Sequence, residues 1–236
     1  MASSSEESST SNEIVELHGV KISIDPSVMS PVVIDCIRSG SYETIEARWL
    51  SQLIEPGERL VEIGGGIGLI SALAGLQRKC ESIFVFEANP ELISLIELTH
   101  RLNDVTAWVR NAAVVPRAKE DVVPFHICHD LWSSSTLPVP AESLKRVALV
   151  RVAELDAILK ELTPSMLIVD TEGSEVDLLA NADLSGVKKV LVELHQEIIG
   201  ALRMKAIFDR LSEERFAYNA RYSEGQVVLF ERISDG

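Results

Sequence analysis

Residues 59–68 have the sequence Arg-Leu-Val-Glu-Ile-Gly-Gly-Gly-Ile-Gly, a short apolar run that leads directly into a glycine-rich turn. The run predicts a buried strand, and the residues from Ile67 to about Leu76 predict the helix that follows it. Glycine lets the backbone approach a ligand closely, and the first turn of a helix offers free amide groups. Glycine-rich turns also occur where they only allow close packing. The loop alone therefore does not decide whether a nucleotide-like ligand binds here.

Beyond this turn the chain alternates between strand-like and helix-like patterns. The further predicted strands are 82–86, 108–114, 147–152, 166–169 and 189–195, and the main predicted helices begin at 89, 154 and 198. Two final runs, 216–222 and 227–233, predict an antiparallel hairpin. Strands that alternate with helices form a mostly parallel sheet covered on both faces, so the predicted fold class is α/β and doubly wound.

The chain upstream of this pattern has a different character. Residues 1–13 are rich in serine and lack core-forming side chains, which predicts a disordered tail. Residues 14–55 predict a cap built from a short strand or hairpin and a helical stretch that Gly40 divides in two. Residues 56–236 form the predicted main domain.

Composition and charge disfavour several classes of function. The 236 residues carry 22 Lys and Arg against 36 Asp and Glu, a net charge of −14 that repels nucleic-acid backbones. The 3 cysteines are too few and too widely spaced for a disulfide framework or a zinc knuckle. We find neither an apolar stretch long enough to cross a bilayer nor a targeting segment, which predicts a cytoplasmic protein without a membrane partner.

The second predicted strand ends at Glu87, 23 residues after Gly64. A carboxylate at this place accepts hydrogen bonds from the ribose hydroxyls of an adenosine, so loop and acid together favour a nucleoside-containing cofactor. The dinucleotide fingerprint needs a third glycine, but Leu69 or Ser71 stands where it would fall. Glu62 beside the loop would repel a pyrophosphate. Because it suits a cation, it favours S-adenosylmethionine, with its ammonium and sulfonium, over NAD.

Other strand ends carry polar side chains toward the same edge of the predicted sheet. Asp170 directly follows an apolar strand, and Glu172 is either part of the site or an acid favoured by a helix N-terminus. Glu193 and His195 point to the same side of their strand, into the space of Asp170. These groups could remove a proton from a hydroxyl, with His195 as the base, or hold a divalent metal. The prediction is proton removal without a metal. Asn111 after the third strand could contact an adenine or simply form a turn.

In number and order these motifs resemble the FkbM-type S-adenosylmethionine-dependent methyltransferases, over about Leu50 to His195. Besides Glu62-Ile63 and its glycine-rich loop, the motifs that carry the resemblance are Phe86-Glu87-Ala88-Asn89-Pro90, Asn111-x-Ala113, Val150-x-Val152-x-x-Leu155-Asp156, Val169-Asp170-x-Glu172-Gly173-x-Glu175 and Val192-Glu193-Leu194-His195. The upstream segment Gly40-Ser41-Tyr42-Glu43 is also similar to this family. Two positions depart from its pattern: residues 64–66 are Gly-Gly-Gly where Gly-Ala-Asn is common, and Ile168 replaces a frequent lysine.

The resemblance implies a class I methyltransferase-like Rossmann fold, a seven-stranded sheet with S-adenosylmethionine as the cofactor of residues 56–236. It implies methylation of a hydroxyl on a small molecule, sugar or natural product, which makes a small-molecule or glycan acceptor the expected partner. The departure at Ile168 leaves open a catalytically impaired cofactor-binding or interaction module. A nicotinamide-dependent oxidoreductase is the less favoured alternative.

The resemblance also implies the residues of the site. Those expected at the cofactor are, from its methionine end to its adenine, Glu62, Gly64, Gly66, Glu87 and Asn111, with Asp170 beside the methyl group. Those expected in catalysis are Asp170, Glu172 and His195. The missing lysine at position 168 makes His195 the favoured base.

Overall fold

The computed structural model describes residues 13–233 of the chain. In this range the strands are β1 (Ile14–Leu17), β2 (Val20–Ser23), β3 (Glu58–Ile63), β4 (Cys80–Glu87), β5 (Trp108–Asn111), β6 (Ala113–Val115), β7 (Val122–Cys128), β8 (Leu144–Glu154), β9 (Met166–Val169), β10 (Lys189–Glu193), β11 (Phe216–Tyr218) and β12 (Val227–Arg232). The helices are α1 (Pro31–Ser39), α2 (Thr44–Leu53), α3 (Leu69–Leu76), α4 (Ile93–Leu102), α5 (Leu155–Leu162), α6 (Glu175–Ala180) and α7 (Gln196–Glu213). The tail predicted for residues 1–13 lies outside the described residues except for Glu13, whose carboxylate pairs with Arg38.

Seven strands form the central sheet in the order β11-β12-β10-β9-β3-β4-β5. Strands β3, β4, β5, β9 and β10 run parallel, whereas β12 is antiparallel to its neighbours β10 and β11. The chain builds outward from β3 to β5 and then returns to β9, so the strand order reverses between β3 and β9. Open parallel sheets bind ligands at such a reversal. The predicted doubly wound sheet and its terminal hairpin are therefore confirmed.

Helices cover both faces of this sheet because successive residues of its buried strands point to opposite sides. Leu60 belongs to the core cluster that includes α1 to α4 and the β1–β2 hairpin, whereas its neighbour Val61 belongs to the cluster that includes α5 to α7. The hairpin and the two helices predicted between residues 14 and 55 are present. Gly40, at φ 77°, ends the first of these helices with a left-handed cap.

A second sheet of three strands, in the order β6-β8-β7, was not predicted. The single strand predicted over 108–114 is wrong, since β5 ends at Asn111 and β6 leaves the central sheet to pair with β8. The predicted strand 147–152 is only the middle of β8. β7 was not predicted either. It pairs with β8, and its Phe125 and Ile127 are buried against Val150 of β8 and Ala113 of β6.

Two helix starts differ from the prediction. Asn89 does not cap α4. Instead its side chain accepts a hydrogen bond from Glu91 N at 3.0 Å, and this turn precedes the helix that starts at Ile93. α7 starts at Gln196 and is kinked at Gly200, where φ is 76° and ψ is 158°. No helix in residues 13–233 is both long and apolar enough to cross a membrane.

The end of the sheet opposite the strand carboxyl termini is held by a buried ion pair. Lys189 Nζ, at the start of β10, lies 2.7 Å from Glu58 Oε2, at the start of β3. The same ammonium donates to Leu53 O at 2.6 Å. A buried pair of this kind tolerates the loss of one partner poorly, because the other charge is then left without compensation. It therefore fixes the relative positions of β3, β10 and α2.

Candidate active site

Three adjoining cavities open at the carboxyl ends of β3, β4, β9 and β10. The first, of about 700 Å³ including space open to solvent, is lined by Gly64, Glu87 and Ala113 among others. The second, of about 350 Å³, is lined by Glu62. The third, of about 1190 Å³, is lined by His195. Asp170 borders all three, so the predicted convergence of groups around this carboxylate is present.

The glycine-rich loop brings the ends of β3 and β9 together. Gly64 has a φ of 91°, and a Cβ on it would lie 1.6 Å from Asp170 O. Its amide donates to Phe86 O at 2.9 Å, and the amide of Asp170 donates to Ile63 O at 2.9 Å. Only glycine allows this contact, because any side chain would push the two strand ends apart.

Glu87 links the end of β4 to this loop. Its Oε2 accepts a hydrogen bond from Gly66 N at 3.0 Å, and its Oε1 accepts one from Asn89 N at 2.6 Å. Burial raises the pKa of Glu87, although the backbone amides around it partly offset this effect. The carboxylate lines the first cavity in a fixed orientation, as a group that contacts a ribose requires.

The side-chain amide of Asn111 bonds to backbone carbonyls, whereas the prediction gave it an adenine as partner. Its Nδ2 donates to Glu87 O at 2.8 Å and to Ala88 O at 3.0 Å, which stabilises the turn after β4. Ala112 and Ala113, the next residues along the chain, line the first cavity instead. The adenine contact of Asn111 stays a prediction, and the structure places small apolar side chains nearer to that space.

Glu62 lies on the other side of the loop, in the second cavity. Its side chain is only 2% exposed, and its Oε2 has no hydrogen-bond partner. Burial raises the pKa of Glu62 to about 8, even though Ser71 donates a hydrogen bond to it. Such a carboxyl is mostly neutral near pH 7, and a cation beside it would favour its ionised form.

Residues 170–175 form a tight turn between β9 and α6. Glu172 has a φ of 53°, and Gly173 has a φ of 106°. Glu175 is completely buried, and its Oε1 accepts hydrogen bonds from Gly173 N at 2.9 Å and from Thr171 N at 3.2 Å. The strained backbone is held by this carboxylate, which fixes where the side chains of Asp170 and Glu172 project.

His195 lies among four carboxyl groups. Its Nδ1 is 3.2 Å from Glu175 Oε1, and its Nε2 is 3.1 Å from Glu172 Oε2. Glu193 Oε1 and Asp170 Oδ1 follow at 3.8 Å and 4.0 Å from Nε2. Burial lowers the pKa of His195, but the hydrogen bond to Glu175 and the charges of Glu172 and Glu193 outweigh it and raise the pKa to about 9. His195 is therefore an imidazolium at neutral pH.

The charge on His195 changes the roles of its neighbours. Burial raises the pKa of Glu172 to about 7, although the imidazolium opposes the shift. Burial also raises the pKa of Asp170 well above its ordinary value, and Glu193 and Glu172 add to the effect. Glu172 is thus the carboxyl whose pKa suits proton transfer near neutral pH, whereas His195 already carries its proton.

A metal ion could be bound at one place in this cluster. Within the described residues, Asp170, Glu175 and His195 form the one group whose possible ligand atoms all lie within 4.8 Å of one another. Two oxygens and an imidazole nitrogen suit several divalent ions. Glu175 Oε1 and His195 Nδ1 are already bonded to each other, so a metal would compete with that hydrogen bond.

The sequence patterns assigned no role to three residues that border the site. Glu43 lines all three cavities, Tyr42 lines the first and third, and Glu46 lines the second and third. Glu43 has a φ of 47° at the start of α2. No motif or sequence spacing indicates that these residues lie next to the strand ends. The one signal in the sequence was the segment Gly40-Ser41-Tyr42-Glu43, which is similar to the FkbM-type methyltransferases but gave no role to its residues.

Comparison with protein-family models and with curated proteins gave no match. Among solved structures, ribosomal protein L11 methylase from Lactobacillus delbrueckii subsp. bulgaricus is 11% identical over 82% of this chain and 80% of that chain, with a TM-score of 0.47. M. jannaschii TYW2 in complex with AdoMet is 12% identical over 94% and 87%, with a TM-score of 0.49. Precorrin 8W decarboxylase from Methanobacterium thermoautotrophicum is 12% identical over 89% and 94%, with a TM-score of 0.48. These TM-scores lie below 0.5 and say nothing of what this chain binds.

Proposed function

We propose that this protein is an S-adenosylmethionine-dependent methyltransferase that acts on a hydroxyl of a small molecule, sugar or natural product. The observation that carries the proposal is the charge of the site. Of the described residues that line the first cavity, 4 are acidic and none is lysine or arginine. The pyrophosphate of a dinucleotide would face these acids without a partner, whereas a cationic nucleoside cofactor is attracted by them.

The residues of the first cavity fit the parts of such a cofactor. Glu87 would hold the ribose hydroxyls, since its oxygens are fixed by backbone amides. Ala88, Leu92 and Phe125 offer an apolar surface for the adenine. Glu62, in the adjoining second cavity, would accept from the ammonium group through its unpaired Oε2. When bound, S-adenosylmethionine supplies an electrophilic methyl group on a positively charged sulfur.

The acceptor would approach through the third cavity. Residues that line both the first and the third cavity mark the boundary between cofactor and acceptor: Tyr42, Glu43, Trp132, Asp170 and Glu172. Glu172 would accept the proton of the acceptor hydroxyl, because its pKa of about 7 leaves much of it ionised at neutral pH. As an imidazolium, His195 would hold Glu172 in place. Asp170 would lie beside the methyl group that is transferred. A positioned base adds about a hundredfold to ten-thousandfold to the rate.

Calorimetric titration with S-adenosylhomocysteine, in competition with NADH, tests the proposal directly. We expect saturable binding of S-adenosylhomocysteine and no competition from NADH. Release of S-adenosylhomocysteine from S-adenosylmethionine in the presence of a hydroxylated acceptor panel would then establish transfer. Binding of S-adenosylhomocysteine without methyl transfer to any acceptor would favour the alternative of a catalytically impaired cofactor-binding module, which Ile168 in place of lysine allows. Binding of NADH alone would overturn the proposal.

A further inference from the structure

The second cavity holds more carboxyl groups than one cofactor ammonium needs. Its acidic side chains come from the start of α2 and from the ends of β3, β9 and β10, and they are Glu43, Glu46, Glu62, Asp170 and Glu193. We refer to these five residues as the carboxylate pocket. Of the described residues that line the cavity, none is Lys, Arg or His, and Ile168 and Leu191 supply apolar surface.

Three oxygens of the carboxylate pocket are buried without a hydrogen-bond partner: Glu43 Oε2, Glu62 Oε2 and Asp170 Oδ1. They belong to different elements of the fold, and Glu62 itself is 2% exposed. A buried carboxyl oxygen without a donor is unfavourable unless a ligand supplies one. Orphaned acceptors around one cavity therefore point to a ligand with several N–H donors and a positive charge.

The cofactor alone does not account for this set. Its ammonium group at Glu62 would leave Glu43 Oε2 without a donor. Among the described residues neither Glu43 nor Glu46 pairs with a cation, and Glu193 has only His195 Nε2 at 3.8 Å. These three residues also line the third cavity, where the acceptor is proposed to bind. Burial raises the pKa of Glu46 to about 7, and burial also raises those of Glu43 and Glu193. The surplus acids therefore face the acceptor.

The spacing of the surplus acids does not suit a metal ion. Metal ligands lie about 2.0–2.6 Å from the ion and thus close to one another. Glu43, Glu46 and Glu193 are outside the one group of described residues with such a spacing. An ammonium bonds to carboxylates over longer distances, about 2.7–2.9 Å, and its donors point in several directions. An organic ammonium, which one or two carboxylates can hold without a converging set of ligands, is therefore a better fit than a metal ion.

We infer that the carboxylate pocket binds a protonated amine of the methyl acceptor, so that the acceptor is a cationic amino alcohol or aminophenol rather than a neutral sugar. The inference rests on the proposed function and narrows its acceptor class. The rings of Tyr42 and Trp132 are 6.3 Å apart, and both line the third cavity. Aromatic faces beside the path of a cation strengthen its attraction to the site.

A matched pair of probes tests the inference: tyramine and tyrosol, which share a phenol and differ in an ammonium against a hydroxyl. Each is titrated by calorimetry into protein saturated with S-adenosylhomocysteine, whose own ammonium already occupies the cofactor site. We expect tyramine to bind about tenfold to a hundredfold more tightly than tyrosol, as a charge-assisted hydrogen bond provides. Equal affinities, or no binding of either probe, would overturn the inference. So would displacement of tyramine by Mn²⁺.

Variants locate the binding of tyramine. Glu46→Gln and Glu193→Gln should each remove most of its advantage over tyrosol, whereas Glu161→Gln, at an exposed position on α5, should leave it unchanged. Ile168→Lys introduces an ammonium into the lining of the carboxylate pocket and should abolish the preference for tyramine over tyrosol. Ile168→Met adds no charge, so this variant should keep the preference. If S-adenosylhomocysteine does not bind, the proposed function fails. The tyramine–tyrosol comparison on the free protein then still decides whether the pocket prefers an ammonium.

Discussion

Glu175 Oε1 lies 3.2 Å from His195 Nδ1, and the same oxygen accepts the amide of Gly173 at 2.9 Å. Burial alone would raise the pKa of Glu175, but these hydrogen bonds, His195 first, outweigh it and lower the pKa. One buried carboxylate thus holds both the 170–175 turn and the imidazolium beside Glu172. The conformation of this turn and the charge on His195 therefore both depend in part on Glu175.

Replacing Glu175 with glutamine should lower the pKa of His195 from about 9 toward its ordinary value, because a charged acceptor is removed. Since the folded pKa lies above the unfolded value of about 6.5, the stability that His195 contributes is fully present below pH 6.5 and is lost as pH rises through about 9. The variant should lose that contribution. NMR titration of the His195 ring measures the pKa, and Glu161→Gln is the control. An unchanged pKa would contradict the role of Glu175.

The rate of methyl transfer should rise with pH through about 7, as Glu172 ionises, and fall again above about 9, as His195 loses its proton. Glu172→Gln should lower kcat by about a hundredfold to ten-thousandfold and leave cofactor affinity intact. Initial rates across pH 5–10 check both expectations. If His195 were the base instead, the rising limb would appear near 9 and survive in Glu172→Gln.

Glu87→Gln should weaken the binding of S-adenosylhomocysteine by about tenfold to a hundredfold, since a neutral amide is a poorer acceptor for the ribose hydroxyls. Glutamine also replaces one of the two oxygens that accept from the amides of Gly66 and Asn89 with an NH2 donor, so part of the loss comes from the loop itself. Glu97→Gln, at an exposed position on α4, serves as the control. Calorimetry measures the affinity. An unchanged dissociation constant would remove Glu87 from the ribose.

Gly64→Ala should destabilise the protein by about 3 kcal/mol or more, because the added methyl would overlap Asp170 O at 1.6 Å. Gly19→Ala is a matched control, since Gly19 has a similar φ of 85° but a Cβ added there would meet no other atom within 4 Å. That variant should lose only about 1–2 kcal/mol, the cost of a left-handed backbone. Urea denaturation compares the two, and equal losses would show that the crowding at Asp170 has no effect.

Lys189→Met should destabilise the fold by about 3–5 kcal/mol, because it leaves the buried carboxylate of Glu58 without its partner. The double variant Glu58→Gln, Lys189→Met should recover most of this loss, since no uncompensated charge remains. Free energies of unfolding in urea test the pair. A double variant no more stable than the single one would mean that the ammonium acts mainly through its hydrogen bond to Leu53 O.

Local patterns identified the elements whose signals are contained in short runs of sequence. The strand Met166–Val169 and the acid that follows it were predicted with correct bounds, since four buried apolar residues leave few alternatives. By contrast, the strand predicted over 108–114 divides at Ala112, because β6 pairs with a strand far along the chain. Pairing between distant segments has no local signature, so β7 and the second sheet could not be predicted.

The sequence by itself determined the succession of the central-sheet strands and their helices, the glycine-rich turn and the acids at the strand ends, because periodicity and turn chemistry act over a few neighbouring residues. Only the tertiary structure decided that Glu43 and Glu46, at the start of α2, line the same cavity as Glu193, and that His195 lies among carboxyl groups that raise its pKa. Protonation depends on burial and on the charges within a few ångströms, and both are set by residues that lie far apart in the chain.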